Sequence, residues 1–302
     1  MDLDPRLLRY FVAVAEELSF SRAATRLHIS QPPLSYAIRQ LEQQLGAPLF
    51  TRSSRRVSLT AAGRALYGEA QFLLRRNADV KRLISRIDAG LQGQLKIGFV
   101  GSALYRRLPD VLRQCRQKYP DVEQVLLELN SAEQIELVER GELDIGFIHA
   151  NPVPASVRYA ELVTEPFSLC LPAAHRLARR KQIALQEVAG EDFIFFSRAL
   201  SPLYYETLFS MCLQAGFFPA VRYEARHWLS VVSLVAQGMG VSIVPSCLSG
   251  SGMSGIRLAP FPHQQQSVTS LIWRPQPFST LKANHLALIC NAYGVRLDPA
   301  PA

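Results

Sequence analysis

Apolar positions recur at helical spacing through the first ninety residues and give way afterwards to short strand-like runs. Leu8, Phe11, Val12, Ala15 and Leu18 put one stripe on a first helix. Ala23, Ala24 and Leu27 do the same for a short second helix that can start from a hydroxyl cap at Ser19 or Ser21, leaving Arg22 and Arg26 on the other side. His28 and Ile29 make a turn. Ser30 then stands where it can cap a third helix, whose first turn holds Pro32 and Pro33, since no backbone donor is needed there for an internal bond. Leu34, Ile38, Leu41 and Leu45 follow, and Gly46 supplies a stop. Three such helices can close a small core that two could not, and the second and third have the form of a helix-turn-helix. Pro48, Leu49 and Phe50 lead into Thr51-Arg52-Ser53-Ser54-Arg55-Arg56 and the alternating Val57-Ser58-Leu59, which predicts a two-stranded wing tipped with arginine.

From a hydroxyl cap at Thr60, Leu66, Ala70, Leu73, Asn77, Val80, Ile84 and Ile87 recur at steps of four and three toward Gly90. That heptad seam would be buried by a second copy of the same helix, with Asn77 fixing the register. Ala89-Gly90-Leu91-Gln92-Gly93 interrupts the pattern as a hinge. Beyond it, a strand over 94–100, a helix over 105–118, a strand over 125–129, a helix over 131–140 and a strand over 145–148 predict a parallel sheet with crossover helices. The alternation resumes with a strand over 167–171, a helical stretch over 202–216, a strand around Val221, a helix over 230–237 and a strand over 241–244. With residues 268–273 crossing back to the first group, two α/β lobes of similar size result.

Gln31, Ser35, Tyr36 and Arg39 project from the polar face of the third helix, which is narrow enough for a DNA major groove, where such side chains reach base edges and phosphates. The charge agrees with this: nine basic and five acidic side chains fall within residues 1–65, half of the net charge of +8.

Residues 8–64, from LRYFVAVAEELSF through SRAATRLHISQPPLS to LFTRSSRRVSLTAAGR, resemble the winged helix-turn-helix of the LysR-type transcriptional regulators nearly position for position. The resemblance implies an α/β chain with an N-terminal winged helix-turn-helix over 1–60 and a linker and dimerisation helix over 61–90. A bilobal effector domain of periplasmic-binding-protein type would fill 91–302, with lobe I at about 91–163 and 267–302 and lobe II at about 164–266. It places Gln31, Pro32, Pro33 and Ser35 at the DNA surface and Arg52 in the wing, to which Arg22, Tyr36, Arg39, Arg55 and Arg56 are added as DNA contacts. Many members carry arginine where this chain has Tyr36, and a tyrosine cannot pair bidentately with guanine, so the operator preference is not carried over from them.

In members that look like aromatic-acid sensors, positions matching Ser102, Ser131, Pro202 and Tyr204 form the effector pocket, and the position of His149 is arginine in some. Ser102, Ser131 and His149 follow the three strands of the first lobe, and Arg198, Pro202 and Tyr204 occupy the corresponding loop of the second. Arg198 can compensate for the cation that His149 removes. His227 and Trp228 either line the cleft or pack the hinge. The expected partners are double-stranded promoter DNA, an organic or aromatic acid as effector, RNA polymerase, and the chain itself as a dimer of dimers.

Other classes find little in the sequence. No basic patch followed by an apolar leader segment opens the chain, and no run of about 18 apolar residues occurs, so neither a membrane nor export is expected and the cytoplasm is. The five cysteines, at 115, 170, 212, 247 and 290, lack C-x-x-C spacing, which argues against zinc and a disulfide framework; a redox role for Cys212 or Cys247 stays open because the family includes peroxide sensors. Glu133, Glu136, Glu139 and Glu142 form a solvated helix face with no partnered base, Gly238-Met239-Gly240 precedes a strand rather than following one, and no cofactor, metal or catalytic group is expected.

Overall fold

A computed structural model describes residues 3–52, 57–149, 152–275 and 279–296, with the side chain of Arg52 excepted. Two compact units divide after Arg86. In the first, α1 (Pro5–Glu17), α2 (Phe20–Arg26) and α3 (Gln31–Leu45) enclose a core to which β1 (Phe50–Arg52), β2 (Val57–Leu59) and the start of α4 (Ala61–Asp88) add Phe50 and Ala70. Phe50 closes it by packing 5.4 Å from Phe11 and 5.8 Å from Phe20, centroid to centroid. Ser19 caps α2 through Arg22 N, and Gly46 ends α3 in the left-handed region.

Ser30 does occupy the N-cap of α3, yet its side chain makes no capping bond. The second and third helical residues are Pro32 and Pro33, which have no amide proton to donate to it. Instead the Ser21 hydroxyl donates to Gln31 Oε1 at 3.0 Å, tying the front of α3 to α2.

Thr60 joins wing to linker: its hydroxyl donates to Pro48 O at 2.7 Å and accepts from Gly63 N at 2.9 Å. Gly63 lies so close to the Leu49 carbonyl that a Cβ there would stand 2.2 Å from the oxygen. The predicted seam of α4 divides. Leu66 and Ala70 pack into the head's own core, whereas Leu73, Val80, Ile84 and Ile87 are exposed.

In the second unit β3 (Gly93–Phe99) pairs in parallel with β4 (Val122–Glu128) and β5 (Ile145–His149). Helices α5 (Leu108–Lys118) and α6 (Ser131–Arg140) form the crossovers, as the alternation predicts. The helix expected from Tyr105 begins later, because residues 101–105 form a 3-10 turn and Pro109 belongs to a helical first turn. The sheet is mixed rather than all parallel. β6 (Arg158–Pro172) runs for 15 residues, far beyond the expected 167–171, since its first half is half-exposed and lacks the apolar run that marks a buried strand.

That strand is shared. Its first half pairs antiparallel with β11 (Gln266–Trp273), which pairs with β5, and its second half pairs antiparallel with β9 (Ser242–Pro245) and β10 (Ile256–Pro260). The second lobe continues from β9 through backbone bonds of Val241 with residues 192 and 194 to β7 (Asp192–Phe196) and its parallel neighbour β8 (Ala220–Ala225). Helices α7 (Pro202–Gln214) and α8 (Trp228–Ala236) cover this lobe, and α9 (Thr280–Tyr293) packs on the first. Each lobe has its own core, one around Phe193, Phe195 and Val232 and the other around Ile97, Phe147 and Ile289. Among the described residues no helix is long and apolar enough to cross a membrane.

Candidate functional site

Two surfaces carry the chemistry. On the head, α3 buries Leu34, Ala37, Ile38 and Leu41 and leaves Gln31, Pro32, Pro33, Tyr36 and Arg39 exposed with Ser35 half-buried beside them. The helical period therefore brings these six predicted contacts to one solvent-facing strip. Tyr36 is 67% exposed, so its ring and hydroxyl extend from the helix into solvent. Arg39 Nε donates to Ser35 O at 3.3 Å, which steadies the guanidinium along the helix. Arg22 is drawn elsewhere: its guanidinium donates to Glu17 O and lies 3.4 Å from the Glu17 carboxylate. The backbone of Arg52 pairs with Val57 in the wing, while its side chain, Arg55 and Arg56 lie outside the described residues.

The second surface is a cavity of about 290 Å³ between the lobes of the second unit. Residues from strand ends and helix starts line it: Val100, Gly101, Glu128, Asn130, Ser131, Glu133 and His149 on one side, Phe196, Leu200, Ser201, Arg226, His227 and Trp228 on the other. Of the six residues predicted for the effector, Ser131 and His149 line the cavity. Ser102 is fully buried behind them, its Oγ 3.1 Å from His149 Nε2, while Ser131 Oγ accepts from His149 N at 3.1 Å. Tyr204 is also buried, its ring 4.6 Å from that of His149 and its hydroxyl 3.0 Å from Ser267 Oγ. Pro202 is exposed at the start of α7 beside a separate groove. Arg198 points to Glu206 at 2.5 Å and its backbone N–H to Glu224, away from the cavity lining.

The floor is electrically neutral. Burial, and then the charge of Arg106, push the imidazole of His149 down to about 3, so it is uncharged at ordinary pH. Arg106 is itself buried and spends its donors on Glu165 of β6, the strand that both lobes share, and on Ser267 and Thr269 of β11. Sequence reasoning missed this anchor, because its partners lie 59, 161 and 163 residues away. It also missed Glu128, Phe196 and Arg226. A signal existed: each follows or ends a strand at its carboxyl end, where ligands of open α/β sheets gather, but β7 went unpredicted and β8 was only half seen.

None of the five cysteines lines the cavity. Burial pushes the Cys212 and Cys247 thiols up to about 12, which leaves almost no thiolate to react, and Cys247 Sγ donates weakly to Ser102 O at 3.7 Å. Among the described residues no group of histidine, cysteine and carboxylate side chains could hold a metal.

Comparison with known proteins bears on both surfaces. The family model for the bacterial regulatory helix-turn-helix protein, lysR family, matches residues 5–64, and that for the LysR substrate binding domain matches residues 88–293. The uncharacterized HTH-type transcriptional regulator YnfL of Escherichia coli is 38% identical over 278 residues, 92% of this chain and 93% of its own length. The HTH-type transcriptional regulator AlsR of Bacillus subtilis is 38% identical over 244 residues, 81% of each chain. Among solved structures, full-length CbnR complexed with its target DNA superimposes with a TM-score of 0.85 at 25% identity, covering 96% of this chain and 100% of that one. With its helix-turn-helix head and two-lobed ligand domain, the chain belongs to the LysR family of DNA-binding, effector-responsive transcriptional regulators.

Proposed function

We propose that this regulator reads duplex promoter DNA with the solvent-facing strip of α3, Gln31, Pro32, Pro33, Ser35, Tyr36 and Arg39, and with arginines of the wing at 52, 55 and 56. Arg22 contributes only if it leaves Glu17. The observation that carries this reading is the exposed Tyr36 on a helix whose other face is locked in the head core. Residues 1–60 form the reading head, 61–90 the pairing helix and 91–302 the effector domain. The uncovered Leu73, Val80, Ile84 and Ile87 support pairing of two copies along α4, and two such pairs make the working assembly, a dimer of dimers. Two heads on one duplex gain affinity from a shared tether.

A small effector occupies the cavity lined by Ser131 and His149, with Ser102 and Tyr204 holding the floor. It shifts the lobes about β6 and β11, and thereby the spacing of the heads and the contact with RNA polymerase in the cytoplasm. Selection from random duplexes, followed by footprinting of the full chain across a salt series, tests the DNA reading. A monomer that retains no duplex at low ionic strength would sink it.

A further inference from the structure

The cleft's charges are separated by lobe. Glu128, at the end of β4, and Glu133, in the first turn of α6, line it from the first lobe, and Arg226, just after β8, lines it from the second. The α6 N-terminus is already satisfied, since Asn130 and Glu133 cap each other's backbone amides and set a carboxylate there. The N-terminus of α8 is open: His227 makes no side-chain cap, and Arg226 has no ion pair among the described residues. Trp228, 4% exposed and part of the lining, has an indole Nε1 with no hydrogen-bond partner, a group that buried proteins rarely leave unpaired.

A simple anion fits this arrangement poorly. Drawn to Arg226 and the helix start, it would face two carboxylates across the cavity, and the neutral His149 floor offers no second cation. A simple cation would meet Arg226. A molecule with both charges satisfies both walls, and a cavity of about 290 Å³ has room for an amino acid with a large side chain.

We propose that the effector is a zwitterion, an α-amino acid with an apolar side chain. Its carboxylate lies toward Arg226 and the open start of α8, its ammonium toward Glu128, and its side chain against Phe196, Leu200 and Trp228. His227 Nδ1 stands 3.5 Å from Glu128 Oε1 across the cleft, so the ammonium shares that carboxylate with the imidazole or displaces it. This rests on the reading of the cleft as the effector site and replaces the organic acid that family resemblance suggests.

Calorimetry on the full chain with L-leucine, L-phenylalanine and L-methionine tests it, with leucinamide and 4-methylpentanoate as probes lacking one charge each. Leucine or a sister amino acid is expected to bind at least about tenfold tighter than either single-charge analogue. Arg226→Gln should abolish the advantage over leucinamide, and Glu128→Gln the advantage over 4-methylpentanoate. Equal binding of 4-methylpentanoate, unchanged ratios in both variants, or no binding by any of the three amino acids overturns the proposal. Leu200→Trp, which fills the cavity, separates the two levels. If the anion wins and this variant blocks it, the cleft stands and the zwitterion falls; if any probe still binds it as before, the cleft reading falls as well.

Discussion

Ser102 Oγ and His149 Nε2 stand 3.1 Å apart in the floor of the cleft, both side chains withdrawn from water. The pair couples the end of β3 to the end of β5 through a ring that must stay neutral: Arg106 lies behind it, and a second cation there would be buried without a carboxylate of its own.

The stability of the protein should fall as the medium is acidified below pH 6.5 because of this ring. An unfolded histidine takes up a proton near 6.5 while His149 in the fold resists to about 3, so in that window the unfolded chain binds more protons and gains relative to the folded one. Each pH unit is worth about 1.4 kcal/mol, so the wild type should lose about 2 kcal/mol between pH 6.5 and 5 that a His149→Gln variant does not lose. Urea unfolding of both proteins at the two pH values measures the difference, and parallel curves would show that His149 is not held neutral.

Arg106 and Glu165 bridge the start of α5 to β6 with 4% and 14% of their side chains exposed. Glu165→Gln should cost about 3–5 kcal/mol by stranding a buried guanidinium, and the double variant that combines Arg106→Met with Glu165→Leu should recover most of it. Equilibrium denaturation decides this; a mild single variant would mean that Ser267 and Thr269 suffice for the cation.

Gly63→Ala should unsettle the head, since its Cβ would meet the Leu49 carbonyl at 2.2 Å and the Leu59 side chain at 2.9 Å. A cost of about 1–3 kcal/mol is expected, with the wing moved from the start of α4. Gly68→Ala, where a Cβ meets nothing within 4 Å, is the control and should be neutral or stabilising in the same thermal melt.

Tyr36→Ala and Arg39→Ala separate base reading from phosphate contact. On duplex selected by the wild type, loss of Tyr36 should weaken binding by about 1–3 kcal/mol and relax one position of the selected sequence. Loss of Arg39 should weaken all duplexes alike and lower the salt slope by about 1. Polarisation titrations at several salt concentrations report both, and a reversed pattern would reassign the two side chains.

The head was legible in the sequence because its structure is local. Stripes at helical spacing, the cap at Ser19, the stop at Gly46 and the prolines at 32 and 33 each act within a few residues, and together they also dictate which side of α3 faces solvent. The same holds for the crossovers α5 and α6 between parallel strands.

What the sequence alone could not decide was set by pairings across long separations. Nothing near Arg158 announces that β6 will serve both lobes, because its partners β9, β10 and β11 come roughly 70 to 115 residues later. Nothing beside Arg106 in the chain announces an anchor, since its partners Thr269 and Ser267 on β11 lie 163 and 161 residues away. Strand ends converge only once the sheet exists, so Ser131 and His149 could be named beforehand, whereas Glu128, Arg226 and the lining place of Trp228 depended on tertiary structure. Spacing along the chain encodes which face of an element is apolar; which distant residue that element meets is a property of the packed whole.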